Sequence, residues 1–193
     1  LAGNRVLFVQ RAGKKVRELV FDFNSDGYVA PDLTILAEHI GGSGVGTGFT
    51  NWTYQQEPDS IVWVVRSDGV LTGMTYQRSE NVVAWHRHIL GGAFGNGIAE
   101  VESVAAISNT VTSSRGEDTL YMIVKRTFNG STVRYIEYLQ PFDFGSNIED
   151  AWFLDSGLLY SGSATTTLSG LSHLEGQTVS IPVSYTHLTL PTM

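Results

Sequence analysis

Two histidines, His86 and His88, stand two positions apart in an apolar segment. On a strand that spacing sends both rings to one face, where they could share a metal ion. Arg87 between them points the other way, and no third ligand is marked nearby, so paired surface side chains are the plainer reading. Asp22, Asn24, Asp26 and Gly27 occupy positions 1, 3, 5 and 6 of a calcium-loop pattern, in which oxygens surround the ion and glycine makes the bend. The pattern then breaks: position 12 calls for a bidentate Glu and holds Leu33, and the segment before Asp22 reads as a strand. A turn solvated by Asp and Asn accounts for the same residues. Asp22, Asn24 and Asp26 therefore stand as the sole metal candidate, for calcium.

Carboxylate pairs occur at Glu100 with Glu102, on one strand face, and at Glu57 with Asp59 around Pro58. General acid–base work needs one carboxyl kept protonated, and glycan work needs an aromatic platform; neither is marked around these pairs. The glycine runs at 41–48 and 91–97 lack the G-x-G-x-x-G and Walker spacings, and the first follows an expected helix, whereas a phosphate cradle precedes one. No G-x-S-x-G elbow is present. No catalytic residue and no cofactor-binding residue is assigned, and no cofactor is expected.

These residues sit in 193 positions that are 42% hydrophobic and 16% charged, a composition that can support a packed core. No apolar run approaches the roughly 18 to 20 residues that span a bilayer. Zero cysteines exclude disulfides, thiolate zinc sites, iron–sulfur clusters and cysteine nucleophiles. The formal charge of −7, with 12 dispersed Lys and Arg, disfavours sequence-independent binding to nucleic acid.

Runs of Val, Ile, Leu and aromatics separated by turn residues predict about ten antiparallel strands. The clearest are 49–55, 61–66, 70–76 and 82–88, then 101–107, 120–126 and 133–139, with an earlier pair at 6–10 and 16–23. Asp68-Gly69 and Asn129-Gly130 are hairpin signals, because Gly supplies the positive φ of a tight turn. Leu7 to Arg11, Ile61 to Arg66 and Tyr121 to Arg126 share a plan: an apolar run, a base, a Gly-containing turn, then a more amphipathic strand. The plan recurs about every 55 to 60 residues, the form of β-propeller blades of about four strands, with a sandwich of similar hairpins as the alternative. Leu7, Val62, Val64, Tyr121, Ile123 and Val124 are the expected buried positions. Trp52, Trp63, Trp85 and Trp152 sit in apolar context, and core packing is expected for at least three.

One helical insertion is expected, from Pro31 through the stripe Leu33, Leu36, Ala37 and Ile40 to a cap at Gly41. The fold class is thus mainly β: antiparallel, partial propeller blades over 1–142, one short helical insertion, and the start of a second β module over 143–182. Short strands of that module are expected at 153–157, 165–171 and 178–181. The chain opens at Leu1 and reads as an internal start. Residues 183–193 resemble translated sequencing-adapter read-through and are expected to lie outside the fold.

The phrases Arg17 to Asp22, Asp32-Leu33-Thr34, Ala37 to Ile40, Tyr54 to Pro58, Trp63 to Gly69 and Val83 to His88 resemble a family of virion proteins of short-tailed and related phages, the tail tubular protein B or nozzle type. The resemblance covers Val6 to Phe142 and is carried most by Gln55-Gln56-Glu57-Pro58-Asp59-Ser60 and Trp85-His86-Arg87-His88. The Gly-rich loop 41–48 departs from it. The resemblance implies a propeller-based, non-enzymatic tail component in the virion that joins other tail subunits in a homo-oligomeric ring and lets DNA pass without tight binding. A carbohydrate- or cell-surface-binding propeller and a propeller glycan hydrolase are the competing classes.

Overall fold

The computed structural model describes residues 2, 5–44, 47–108, 116–146, 156–160, 162–174, 176–179, 181–183 and 186–188. The fold is mainly β, built of antiparallel sheets with short 3-10 turns. The first sheet is β1 (Val6–Val9), β2 (Val16–Asp22) and β3 (Gly27–Val29), in sequence order. The middle sheet is a four-stranded meander of β4 (Phe49–Gln55), β5 (Ile61–Arg66), β6 (Leu71–Gln77) and β7 (Val82–His88). A small hairpin, β8 (Ala93–Phe94) with β9 (Gly97–Ile98), leads to the third sheet of β10 (Glu100–Ser108), β11 (Asp118–Phe128) and β12 (Ser131–Tyr138). A last hairpin pairs β13 (Ile181–Val183) with β14 (Thr186–Leu188), so residues 186–188 pair locally with 181–183.

The core explains the stacking. β5 is Ile-Val-Trp-Val-Val-Arg, and Val62, Trp63, Val64 and Val65 are all buried although alternate side chains leave opposite faces. A strand buried on both faces needs a layer on each side, and each fully buried aliphatic contributes about 1.5 to 3 kcal/mol. Trp63, Val65 and Leu71 pack against Val101, Val104, Leu120, Met122 and Val124 of the third sheet. On the other face Val62, Val64, Met74 and Tyr76 pack with Val16 and Leu33, joined by Leu7, Val9, Phe49 and Trp85. The middle sheet therefore lies between the other two.

Register follows the turns. Asn129 (φ 48) and Gly130 (φ 73) form the two-residue turn that sets Phe128 opposite Ser131. At the β5–β6 turn Gly69 has φ 75, its carbonyl accepts Val101 N–H at 2.8 Å, and a Cβ there would lie 2.8 Å from the Glu100 backbone. Gly69→Ala thus meets both an unfavourable φ and a backbone contact. It is expected to lower stability by about 1 to 3 kcal/mol, read as a lower urea midpoint; an unchanged midpoint would show that the β5–β6 turn does not touch β10.

Several expectations need correction. The stripe at 31–40 does not form the expected helix. Leu33 N–H donates to Val16 C=O, Asp32 bridges Arg17, and Asp32 Oδ1 accepts both the Thr34 N–H and its hydroxyl, a local turn that competes with helix. Only Glu38–Gly41 is helical, as one 3-10 turn, and Leu36 is 97% exposed. The capping residue is Gly42, not Gly41. Ile123 is exposed and Tyr121 only half-buried, because β11 alternates and sends Leu120, Met122 and Val124 inward; Leu7 is half-buried against the core. Residues 165–171 carry no strand. The strand expected at 178–181 appears as Ile181–Val183, and 153–155 lie outside the described residues.

Candidate functional site

The polar side chains that the fold draws together lie at the two joints between sheets. At the joint between middle and third sheets, the β4–β5 turn supplies Gln55, Gln56 and Glu57. Gln56 N–H and Glu57 N–H donate to Asp118 Oδ2 at 2.8 and 3.1 Å, and Gln55 Nε2 donates to the Asp118 carbonyl at 2.7 Å. Asp118 N–H returns a bond to the Glu57 carbonyl at 3.1 Å. Gln55 Oε1 also accepts the Trp63 indole N–H at 2.7 Å. The bulge in β10 at Glu102 is matched by side-chain acceptors on β4: Asn51 Oδ1 takes Val104 N–H and Thr53 Oγ1 takes Ala106 N–H. The phrase Gln55 to Ser60 is therefore a docking clip for the start of β11.

Arg126 closes the same joint. It is 1% exposed, its Nε donates to the Gly91 carbonyl at 2.9 Å, its guanidinium grips the Glu137 carboxylate bidentately, and it lies over Tyr135. Gly92, at φ 91, leaves room for it: a Cβ there would lie 2.6 Å from Arg126 Nε. The 91–97 run thus serves close approach by a buried cation.

At the joint between first and middle sheets, Glu18 is fully buried with Arg78 Nε at 3.1 Å and Arg5 at 3.7 Å as ion partners. Burial, with Glu18 beside it, pushes the Tyr76 hydroxyl up to about 12. Trp85 donates its indole N–H to the Leu33 carbonyl at 2.9 Å and stacks parallel on Phe49. Asp32 is held at about 2: burial opposes its charge, but hydrogen bonds from Lys15 and Thr34 outweigh it.

His86 and His88 do share a face. They hydrogen-bond each other, Nδ1 to Nε2 at 2.7 Å, and both rings pack on Trp63. Burial, then the neighbouring His88, holds the His86 imidazole below its ordinary 6.5. The unfolded chain therefore binds more protons than the folded one just below that pH. Stability is expected to be level above pH 6.5 and to fall as pH drops through the lowered folded value. Urea midpoints at pH 7.5 and 5.5 measure this, and His86→Gln should flatten the difference; a wild-type midpoint that rises on acidification would contradict the packing of this pair. The Asp32 contribution is lost lower, between 3.8 and about 2.

The remaining candidates are placed as follows. Asp22 Oδ1 accepts Asn24 N–H and Oδ2 accepts the Ser25 hydroxyl, which lowers the Asp22 pKa, while Asp26 sits at φ 46 in the β2–β3 turn. Among the described residues no group of three or more His, Asp or Glu side chains could hold a metal. Glu100 and Glu102 do lie near one another, tied to Lys125 and Arg134. Glu57 contributes its backbone to the Asp118 clip. Of the tryptophans, Trp63 is buried, Trp85 packs on the core, and Trp52 is 38% exposed beside a cavity of about 200 Å³ lined also by Ala2, Leu7 and Tyr54; Trp152 lies outside the described residues.

Asp118, Glu18 and the buried state of Arg126 were not marked by sequence. Arg126 carried one signal, the base closing an apolar run, but Arg66 carries the same signal and pairs with Asp68 in an exposed turn. No protein-family model matches the chain, and no curated protein matches it.

Proposed function

We propose that this chain is a blade-forming part of a structural phage tail component of the tail tubular protein B, or nozzle, type. In this reading the three stacked sheets are successive blades of a propeller, each covering one face of the next. The component sits in the virion tail, joins other tail subunits in a homo-oligomeric ring, and supports the DNA exit path without enzymatic activity. The observation that carries the reading is where the shared phrases fall: Gln55-Gln56-Glu57 clips the third sheet through Asp118, and Trp85 anchors the first through the Leu33 carbonyl. Residues that hold sheets together suit a scaffold. The −7 charge suits a wall past which a polyanion slides.

Mass spectrometry of purified phage particles carrying the gene tests this reading. Peptides of this chain are expected in the tail fraction in stoichiometric amount, and their absence would overturn the assignment. A titration of the purified protein with duplex DNA at physiological salt should show no submicromolar binding; tight, salt-sensitive binding would contradict passive passage.

A further inference from the structure

We propose that the outer face of the β10–β12 sheet docks the outer face of the β1–β3 sheet of a second copy of this chain, continuing the stack head to tail. The inference rests on the stacking within the chain and not on the tail assignment.

Equivalent positions in the three sheets follow from register. In the middle sheet Trp63 faces Gly73 and Val65 faces Leu71; in the first, Leu7 faces Glu18 and Val9 faces Val16; in the third, Ile123 faces Ile136 and Lys125 faces Arg134. In the first and middle sheets this face is covered by the sheet that follows. In the third sheet it is open: Ile107, Ile123, Ile136 and Tyr138 are exposed, Ile136 at 80%.

The opposite faces tell the complementary story. Val62 and Val64 of the middle sheet, and Met122 and Val124 of the third, are each covered by the sheet that precedes. The corresponding face of the first sheet is open, with Val6, Leu19, Phe21 and Tyr28 exposed and Phe21 against Tyr28 edge to face. The chain thus uses one kind of joint twice internally and exposes one half of it at each end.

Exposed apolar sheet faces of this kind mark interaction sites. A second copy presents the face type that each internal joint already accepts. The charges on the third sheet's face do not oppose docking, because Lys125 pairs Glu100 at 2.7 Å and Arg134 pairs Glu102 at 2.6 Å. Unlike faces meeting make a heterologous contact, which closes into a ring or extends according to the rotation per copy.

Complementation tests this with the 193-residue chain. Wild type is expected to associate with rising concentration in sedimentation velocity. Ile136→Asp on one face, or Phe21→Asp on the other, should each weaken association by about thirtyfold or more. A mixture of the two variants should restore one 1:1 dimer that does not grow, because each copy keeps the half the other lost. Tyr138→Asp and Tyr28→Asp, also at exposed positions, repeat the test, and circular dichroism checks that all four fold. A monomeric wild type, single variants that associate like wild type, or a mixture without a dimer would overturn the proposal.

Discussion

Replacing Trp63 with alanine is expected to remove about 3 to 5 kcal/mol of stability, the largest loss from any single truncation in the apolar core. Trp63 is 2% exposed and packs from the centre of the middle sheet against the third. Its loss empties the joint on that side and strips the His86 and His88 rings of their support. It also removes the donor for Gln55 Oε1, so the side chain that reaches the Asp118 carbonyl is no longer held. A small domain has about 5 to 15 kcal/mol in total, so the variant should be partly unfolded at 37 °C. Trp63→Phe keeps most of the apolar area and should lose less. Urea denaturation followed by far-ultraviolet circular dichroism reads both variants; a loss below about 1 kcal/mol for alanine would mean that this face is not buried.

Arg126→Ala is expected to cost about 3 to 5 kcal/mol by a different route, the breaking of a buried ion pair. The guanidinium satisfies the Gly91 carbonyl and the Glu137 carboxylate at once, and its removal leaves both without their donor. Arg126→Met should recover part of the loss, since it fills the volume and leaves Glu137, whose side chain is 23% exposed, access to water. Equal losses for Ala and Met would place the effect in the ion pair alone. No loss in either would contradict the buried position of Arg126.

The strands were legible because their signals are local. Val82 to His88 and Phe49 to Gln55 have the boundaries their composition announces, and Asn129-Gly130 turns where its φ preference demands. Burial was legible where an apolar run is continuous, as in Ile61 to Val65. It misled at Ile123, whose face depends on which sheet lies beyond it. The stripe Leu33, Leu36, Ala37 and Ile40 has helical spacing, but an Asp32 side chain that bonds Thr34 and a Leu33 N–H taken by Val16 settle the backbone otherwise. The joints were the least legible. Gln55 and Asp118, or Glu18 and Arg78, lie about 60 residues apart, and no local pattern pairs positions that far along a chain.

Cryo-electron microscopy of intact particles carrying the gene tests the central claim most directly. The account predicts tail density in which β1–β3, β4–β7 and β10–β12 stand as three consecutive blades around one axis, the middle sheet covered on both faces. Tails without this chain, or density that places the first and third sheets on the same side of β5, would contradict it.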